Sequence, residues 1–132
     1  MIKFTIVTIT YQAERVLERT MDSVISQSYP YVEYLIVDGA STDGTLEMAK
    51  NYQKIAQMER GCHEVRIVSE PDNGLYDAMN KARMLATGHY VLYLNAGDFF
   101  PSNDTLETIV KNTGLNELLL NNKPLPAVIY GD

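Results

Sequence analysis

Runs of β-branched and apolar residues alternate with segments of helical periodicity along most of this sequence, and no single motif restricts the fold as much. Lys3 to Thr10 (KFTIVTIT) reads as a strand. Glu14 to Gln27 sets Val16, Leu17, Met21, Val24 and Ile25 at helical spacing, and Ser28-Tyr29-Pro30 stops that helix. Val32 to Val37 (VEYLIV) is a second strand, ending at Asp38. Ser41 or Thr42 can cap a helix from about Gly44 to Met58, with Gly61 closing it. Glu64 to Val68 is a third strand, and SEPDNG, Ser69 to Gly74, is a loop of strong turn formers. Leu75 to Ala86 is a helix stopped by Gly88. His89 to Leu94 is a fourth strand, expected to be buried, that ends in Asn95-Ala96-Gly97-Asp98. Thr105 to Asn112 reads as a short helix, Leu115 to Leu120 as its extension, and Ala127 to Tyr130 as a last short strand.

Strand and helix in strict alternation give right-handed crossovers and a parallel sheet. The fold class expected is therefore α/β, a mostly parallel central sheet with flanking helices. The 132 residues suffice for one such domain with its own core. Ligands of such sheets bind outside the carboxyl ends of the strands. The residues to watch are thus Thr10-Tyr11, Asp38, the SEPDNG loop and Asn95 to Asp98.

The formal net charge of -6 argues against a nucleic-acid partner, whose surface calls for a basic footprint. It leaves room for a nucleotide ligand, provided a cation or helix N-termini offset the local acidity. The single cysteine, Cys62, reads as a free thiol of a reducing compartment. The N-terminal MIKFTIVTITYQ lacks a signal-like apolar region, and no stretch approaches the ~20 apolar residues of a membrane span. A cytoplasmic protein is expected, with peripheral membrane association left to segments outside this chain.

Asp38 can accept hydrogen bonds from a ribose or a base N–H; it can equally be a turn or capping residue. Ser41, Thr42 and Asp43 read as a helix start. In EPDNGLYDAMNKA, the four-residue spacing of Asp77 and Lys81 suits a salt bridge. Lys81 could instead meet a phosphate as a point charge. His63 and His89 are isolated and read as surface or loop residues. No Walker loop, GxGxxG, GxSxG, HExxH or EF-hand pattern is present.

Taken in order, IVTITYQ, LERTMDSVISQSYP, YLIVDGASTDGT, SEPDNGLYDAMNKA and YLNAGD resemble the family-two glycosyltransferases of the GT-A fold, over about Ile6 to Pro101 and onward toward Tyr130-Gly131-Asp132. The resemblance implies the Rossmann-like, nucleotide-sugar-binding half of such an enzyme, 1–132, cut before its acceptor-binding half. It implies a nucleotide-diphospho-sugar donor, a saccharide or lipid-linked acceptor, inverting transfer in surface polysaccharide synthesis, and Mg²⁺ or Mn²⁺ as cofactor. By the same resemblance Thr8, Thr10 and Tyr11 line the base, and Asp38 holds base or ribose. Asp72, Asn73, Gly74, Asp77 and Lys81 approach the base and diphosphate. Asn95 lies beside the diphosphate, and Asp98 is the metal ligand. Asn95 and Gly97 stand where the family's metal motif carries acids, so Asp98 is its one carboxylate. The general base is expected beyond Asp132, so catalytic residues stay unassigned. A binding module without transfer activity is the alternative. A nucleotidyltransferase fits less well, because TYQAERVLE stands where a glycine-rich basic loop would be.

Overall fold

The computed structural model describes residues 1–58 and 63–123. Its elements alternate as the sequence requires: β1 (Phe4–Thr10), α1 (Leu17–Ile25), β2 (Val32–Asp38), α2 (Thr45–Met58), β3 (Glu64–Ser69), α3 (Leu75–Leu85), β4 (Tyr90–Tyr93), α4 (Thr105–Thr113) and α5 (Leu115–Leu120). The sheet has the order β3-β2-β1-β4, and all three pairings are parallel. The expected strand over 127–130, the closing Gly61 and Cys62 lie outside the described residues. No helix among those described is long and apolar enough to cross a membrane.

Strand periodicity divides the core in two. Phe4, Ile6, Tyr34 and Ile36 point to the face covered by α1, α2, α4 and α5, where Leu17, Met21, Val24, Ala49, Leu106 and Leu115 complete one cluster. Val7, Leu35 and Val37 point to the other face and meet Ala78 and Ala82 of α3. Two alanines four apart give α3 a smooth stripe, which seats its backbone close to the sheet. β1 and β2 are covered on both faces, as expected of central parallel strands.

Two expectations need correction. β4 is not a buried strand: its residues are half-buried, Tyr93 is exposed, and within the described sheet it lies at the edge beside β1. With cover on one side only, an apolar run stays partly accessible. The first helix begins at Leu17 rather than Glu14, because the amides of Val16 and Leu17 both turn back to the Ala13 carbonyl. Val16 is consequently exposed.

The opposite end of the sheet holds a buried acid. Glu33, within β2, is 1% exposed and pairs with Arg66 Nη1 at 2.5 Å. It also accepts hydrogen bonds from Thr5 Oγ1 and from the Thr87 amide and hydroxyl. Arg66 donates onward to the Leu85 carbonyl at the end of α3. Burial works to raise the Glu33 pKa, but the bonds from Thr87, Arg66 and Thr5 outweigh it and bring the value to about 2. This cluster fastens the α3–β4 turn beneath the sheet.

Candidate functional site

The carboxyl ends of β1, β2 and β3 meet at Asp38. This residue is 1% exposed and paired in register with Thr10 on one side and Ser69 on the other. Its Oδ1 accepts from Thr10 Oγ1 at 2.7 Å and Ser41 Oγ at 2.6 Å. Its Oδ2 accepts from the Ser41 amide and Ser69 Oγ, both at 2.9 Å. Burial pushes against ionisation, yet these donors hold the carboxyl below its ordinary pKa. Four donors fill the four lone-pair sites of a carboxylate. Asp38 therefore binds three strand ends together, and a direct contact to base or ribose requires one hydroxyl to turn away. Thr10 is buried and serves Asp38. Thr8 is a correction to the expected base-lining set: it is fully buried inside the sheet, its hydroxyl 2.7 Å from that of Tyr34. It lies two residues short of the strand end, too deep for a ligand.

The loop after β1 is locked to the start of α2. Gln12, at φ 50, receives the amides of Thr42 and Asp43 on its Oε1. The Glu14 carboxylate takes the Gly44 amide, and Asp43 takes those of Thr45 and, more loosely, Glu14. Asp43 and Glu14 thus hold the Thr45 and Gly44 amides that open α2; the expected cap from Ser41 or Thr42 is corrected, for their hydroxyls meet Asp38 and Gln12 instead. Gln12 and Glu14 escaped the sequence reading because their bonds span about thirty residues. The locked loop presents Tyr11 outward, 67% exposed.

Gly39 joins this loop to SEPDNG. A Cβ there would lie 2.9 Å from Asp72 Oδ2 and 3.4 Å from Tyr11 Cδ1. A residue with a Cβ there would displace the Asp72 carboxylate, so Gly39 is where these two side chains come together, a feature that sequence alone did not single out. Asp72 Oδ1 accepts the Gly74 amide at 3.1 Å. Asp72 Oδ2 has no hydrogen-bond partner among the described residues.

Gly74 opens α3 at φ 100, a conformation that favours glycine. Asp77 accepts the Asn73 amide, which lowers its pKa with help from Lys81. Lys81 pairs with Glu70 at 3.0 Å and with Asp77 at 3.5 Å, and also donates to the Pro71 carbonyl. Glu70 above all raises the Lys81 pKa. Of the two roles weighed for Lys81, the salt bridge is the one formed: the lysine braces the loop on α3. Asn73 and Asn80 stand exposed beside it.

After β4, the Asp98 amide returns to the Asn95 carbonyl at 2.9 Å, with Gly97 at φ 101 inside the turn and its amide on Thr20 Oγ1. Asn95 and Asp98 are both exposed. The Asp98 carboxylate has no partner among the described residues, an arrangement that wastes no acceptor capacity within the fold. No cluster of three metal-binding side chains occurs among the described residues. Asp98 with the Asn95 side-chain oxygen is a hard-oxygen donor pair. It suits Mg²⁺ or Mn²⁺ completed by phosphate and water, and does not suit a closed structural site.

Comparison with known proteins agrees with this layout. The model of glycosyl transferase family 2 matches residues 5–117. This chain belongs to that family. It is 38% identical over 94 residues to the Bacillus subtilis protein named as a teichuronic acid biosynthesis glycosyltransferase, TuaG; the match covers 71% of the chain and 35% of TuaG. It is 34% identical over 130 residues to a PGL/p-HBAD biosynthesis glycosyltransferase of Mycobacterium bovis, covering 98% of the chain and 46% of the relative. A mannosyltransferase of Pyrobaculum calidifontis, solved with GDP-Man and Mn²⁺, superimposes with a TM-score of 0.74 at 30% identity, covering 83% of the chain and 32% of that structure. TarS of S. aureus, solved with UDP-GlcNAc, shares the fold with a TM-score of 0.69 at 24% identity, over 85% of the chain and 32% of TarS. The chain thus spans less than half the length of each of these relatives.

Proposed function

We propose that this chain is the donor-binding half of an inverting glycosyltransferase. It takes a nucleotide-diphospho-sugar and serves transfer to a saccharide or lipid-linked acceptor in surface polysaccharide synthesis, at the cytoplasmic face of the membrane. The observation that carries the reading is the convergence of four strand-end segments on one edge. There an exposed Tyr11 ring adjoins Asp72, and the Asp98 carboxylate is without a partner among the described residues. The GDP-Man and Mn²⁺ held by the Pyrobaculum calidifontis neighbour, and the biosynthetic roles in the relatives' names, support it.

In the transfer, the acceptor hydroxyl attacks the anomeric carbon and the bond from that carbon to the diphosphate breaks. The electron pair leaves on a phosphate oxygen, and a base takes the hydroxyl proton. Asp98, with the Asn95 side-chain oxygen, would hold a divalent cation, which would supply positive charge to the departing diphosphate. Tyr11 offers a stacking surface to the base, and Asp38 holds the three loops that frame it. The Lys81–Glu70–Asp77 brace fixes the SEPDNG segment, so the donor meets a formed surface. No residue of this chain is assigned as the base that deprotonates the acceptor.

Titration of the chain with UDP and GDP, with and without Mn²⁺, tests the donor site. Saturable binding strengthened by Mn²⁺ is expected, and no binding under any metal condition refutes it. Because the chain spans less than half of its relatives, a domain that binds donor without transferring is the second reading. Nucleotide release from a nucleotide-sugar in the presence of acceptor separates the two.

A further inference from the structure

Resting on the reading of Asp98 as the cation ligand, we infer that helix α1 is the mount of that site, and that Thr20 is its positioning residue, acting through the Gly97 amide. The segment between β4 and α4, residues 94–104, belongs to no helix or strand. It is held along one face of α1 instead. The Gly97 amide donates to Thr20 Oγ1 at 2.8 Å, and the Phe100 amide to Ser23 Oγ at 3.1 Å. Gln27, just past the end of the helix, donates from Nε2 to the Ser102 carbonyl at 2.7 Å and accepts the Leu106 amide on Oε1 at 3.1 Å. Positions 20, 23 and 27 share a face. At 1.5 Å per residue they span roughly 10 Å. The Arg19 guanidinium carbon lies 4.4 Å from the centroid of the Phe99 ring.

Asp98 is thus bracketed. Gly97, Phe99 and Phe100 meet α1 through Thr20, Arg19 and Ser23, while the Asp98 carboxylate has no partner among the described residues. A carboxylate on an irregular segment is a poor cation ligand unless the segment is fixed beforehand, because ordering it on binding costs entropy. Thr20 supplies the fixing point nearest the acid. It is fully buried, so its hydroxyl needs a partner within the fold. Gly97, at φ 101, brings the amide that meets it, one residue before Asp98. The Asp98 amide closes the same turn on the Asn95 carbonyl at 2.9 Å. Both oxygen donors, Asn95 and Asp98, therefore belong to the turn that Thr20 fixes. A group that orients a metal ligand sets metal affinity without touching the metal. Gln27 holds the other end of the segment, away from the acid, so its bonds serve stability.

The test is titration of the intact chain with GDP and UDP, each with and without Mn²⁺, with bound Mn²⁺ counted from the loss of the free ion's paramagnetic resonance signal. Thr20→Val keeps the shape of the side chain and removes the hydroxyl. The gain in nucleotide affinity from Mn²⁺ should then fall about threefold to tenfold, the worth of one hydrogen bond, while affinity without Mn²⁺ is held. Thr20→Ser keeps the hydroxyl and should restore the gain. Gln27→Met should lower the melting temperature and leave the Mn²⁺ gain intact. A full gain in Thr20→Val, or a loss that Thr20→Ser does not restore, overturns the role of Thr20. An equal loss in Gln27→Met overturns it too, since the effect is then a general loosening. Should Thr20→Val fail to fold, the exposed Arg19 decides. Arg19→Ala frees Phe99 and should cut the gain about twofold to fivefold; an unchanged gain refutes α1 as the mount. Nucleotide binding with no Mn²⁺ gain in the unaltered chain refutes the cation reading of Asp98, and this inference with it, and leaves the nucleotide site standing.

Discussion

Strand β2 carries one buried carboxylate near each end, Glu33 at the start and Asp38 at the finish, and they are used differently. Both are 1% exposed, both accept four hydrogen bonds and both sit below their ordinary pKa. Glu33 has a guanidinium among its donors, so its charge is neutralised where it lies. Asp38 has only hydroxyls and one amide, so its negative charge persists at the edge where the loops meet. The first end of the sheet is closed by a salt bridge, and the second is held open by neutral donors. The carboxylate of a third acid, Asp98, has no partner among the described residues and extends the series toward solvent. Filled carboxylates thus brace the sheet at both edges, and the unfilled one stands beyond the C-terminal edge of its strands.

Substitutions can break that comparison, beginning with the largest effect. Glu33→Ala strands Arg66 and the donors of Thr5 and Thr87, and should cost about 3 kcal/mol in urea unfolding, because removing one partner of a buried pair leaves the other uncompensated. Nucleotide binding by the folded fraction should be unaffected. The same acid predicts a pH dependence. A pKa lowered from 4.5 to about 2 means that the unfolded chain binds the proton first. The stabilisation is therefore complete above pH about 4.5 and is lost as pH falls toward 2. At 1.36 kcal/mol per unit this amounts to roughly 3 kcal/mol. Chemical denaturation across this range should show the loss, and Glu33→Gln should flatten the profile.

Asp38→Asn comes next, at about 1–3 kcal/mol, since the amide nitrogen replaces an oxygen that accepts two of the four bonds. Here stability and function should fall together: nucleotide binding weakens with or without Mn²⁺, because the Tyr11 and SEPDNG loops lose their common anchor. Gly97→Ala should cost about 1–3 kcal/mol, as φ 101 is strained for a residue with a Cβ, although Val16 at 3.6 Å leaves room for the atom itself. Asp98→Ala should change stability by less than about 0.5 kcal/mol, since its carboxylate has no partner to lose. It should remove only the Mn²⁺-dependent part of nucleotide binding. If Asp98→Ala keeps the full Mn²⁺ response, the metal assignment is wrong; if it unfolds the chain, the third member of the series is structural.

Much of the architecture was legible in the sequence. The alternation of KFTIVTIT, VEYLIV and EVRIV with helical spacing carries α/β order in local patterns, because strand and helix periods differ. The helix start at Leu75 fell where the loop ending at Gly74 put it, and α2 begins at Thr45, one residue after the expected Gly44. Thr8 was misread because a two-residue shift along a strand separates a strand end from its interior. Burial of β4 was misread because edge and centre carry similar apolar runs. Glu33 went unnoticed inside VEYLIV, though a lone acid in an otherwise apolar strand was the available signal.

The sequence by itself determined the order of elements, the parallel sheet and the segments that reach its carboxyl edge, since these follow from periodicity and turn chemistry within a few residues. Only the tertiary structure decided which polar groups are spent. Asp38, Asp72 and Asp98 lie at or after strand ends and Asp77 in the first turn of α3, and as letters the four are alike. Their donors come from Thr10, Ser69, Gly74 and Asn73, and for Asp98 from none of the described residues. Whether a carboxylate is filled or free is a property of the neighbours that folding brings to it, and that is what separates an anchor from a ligand.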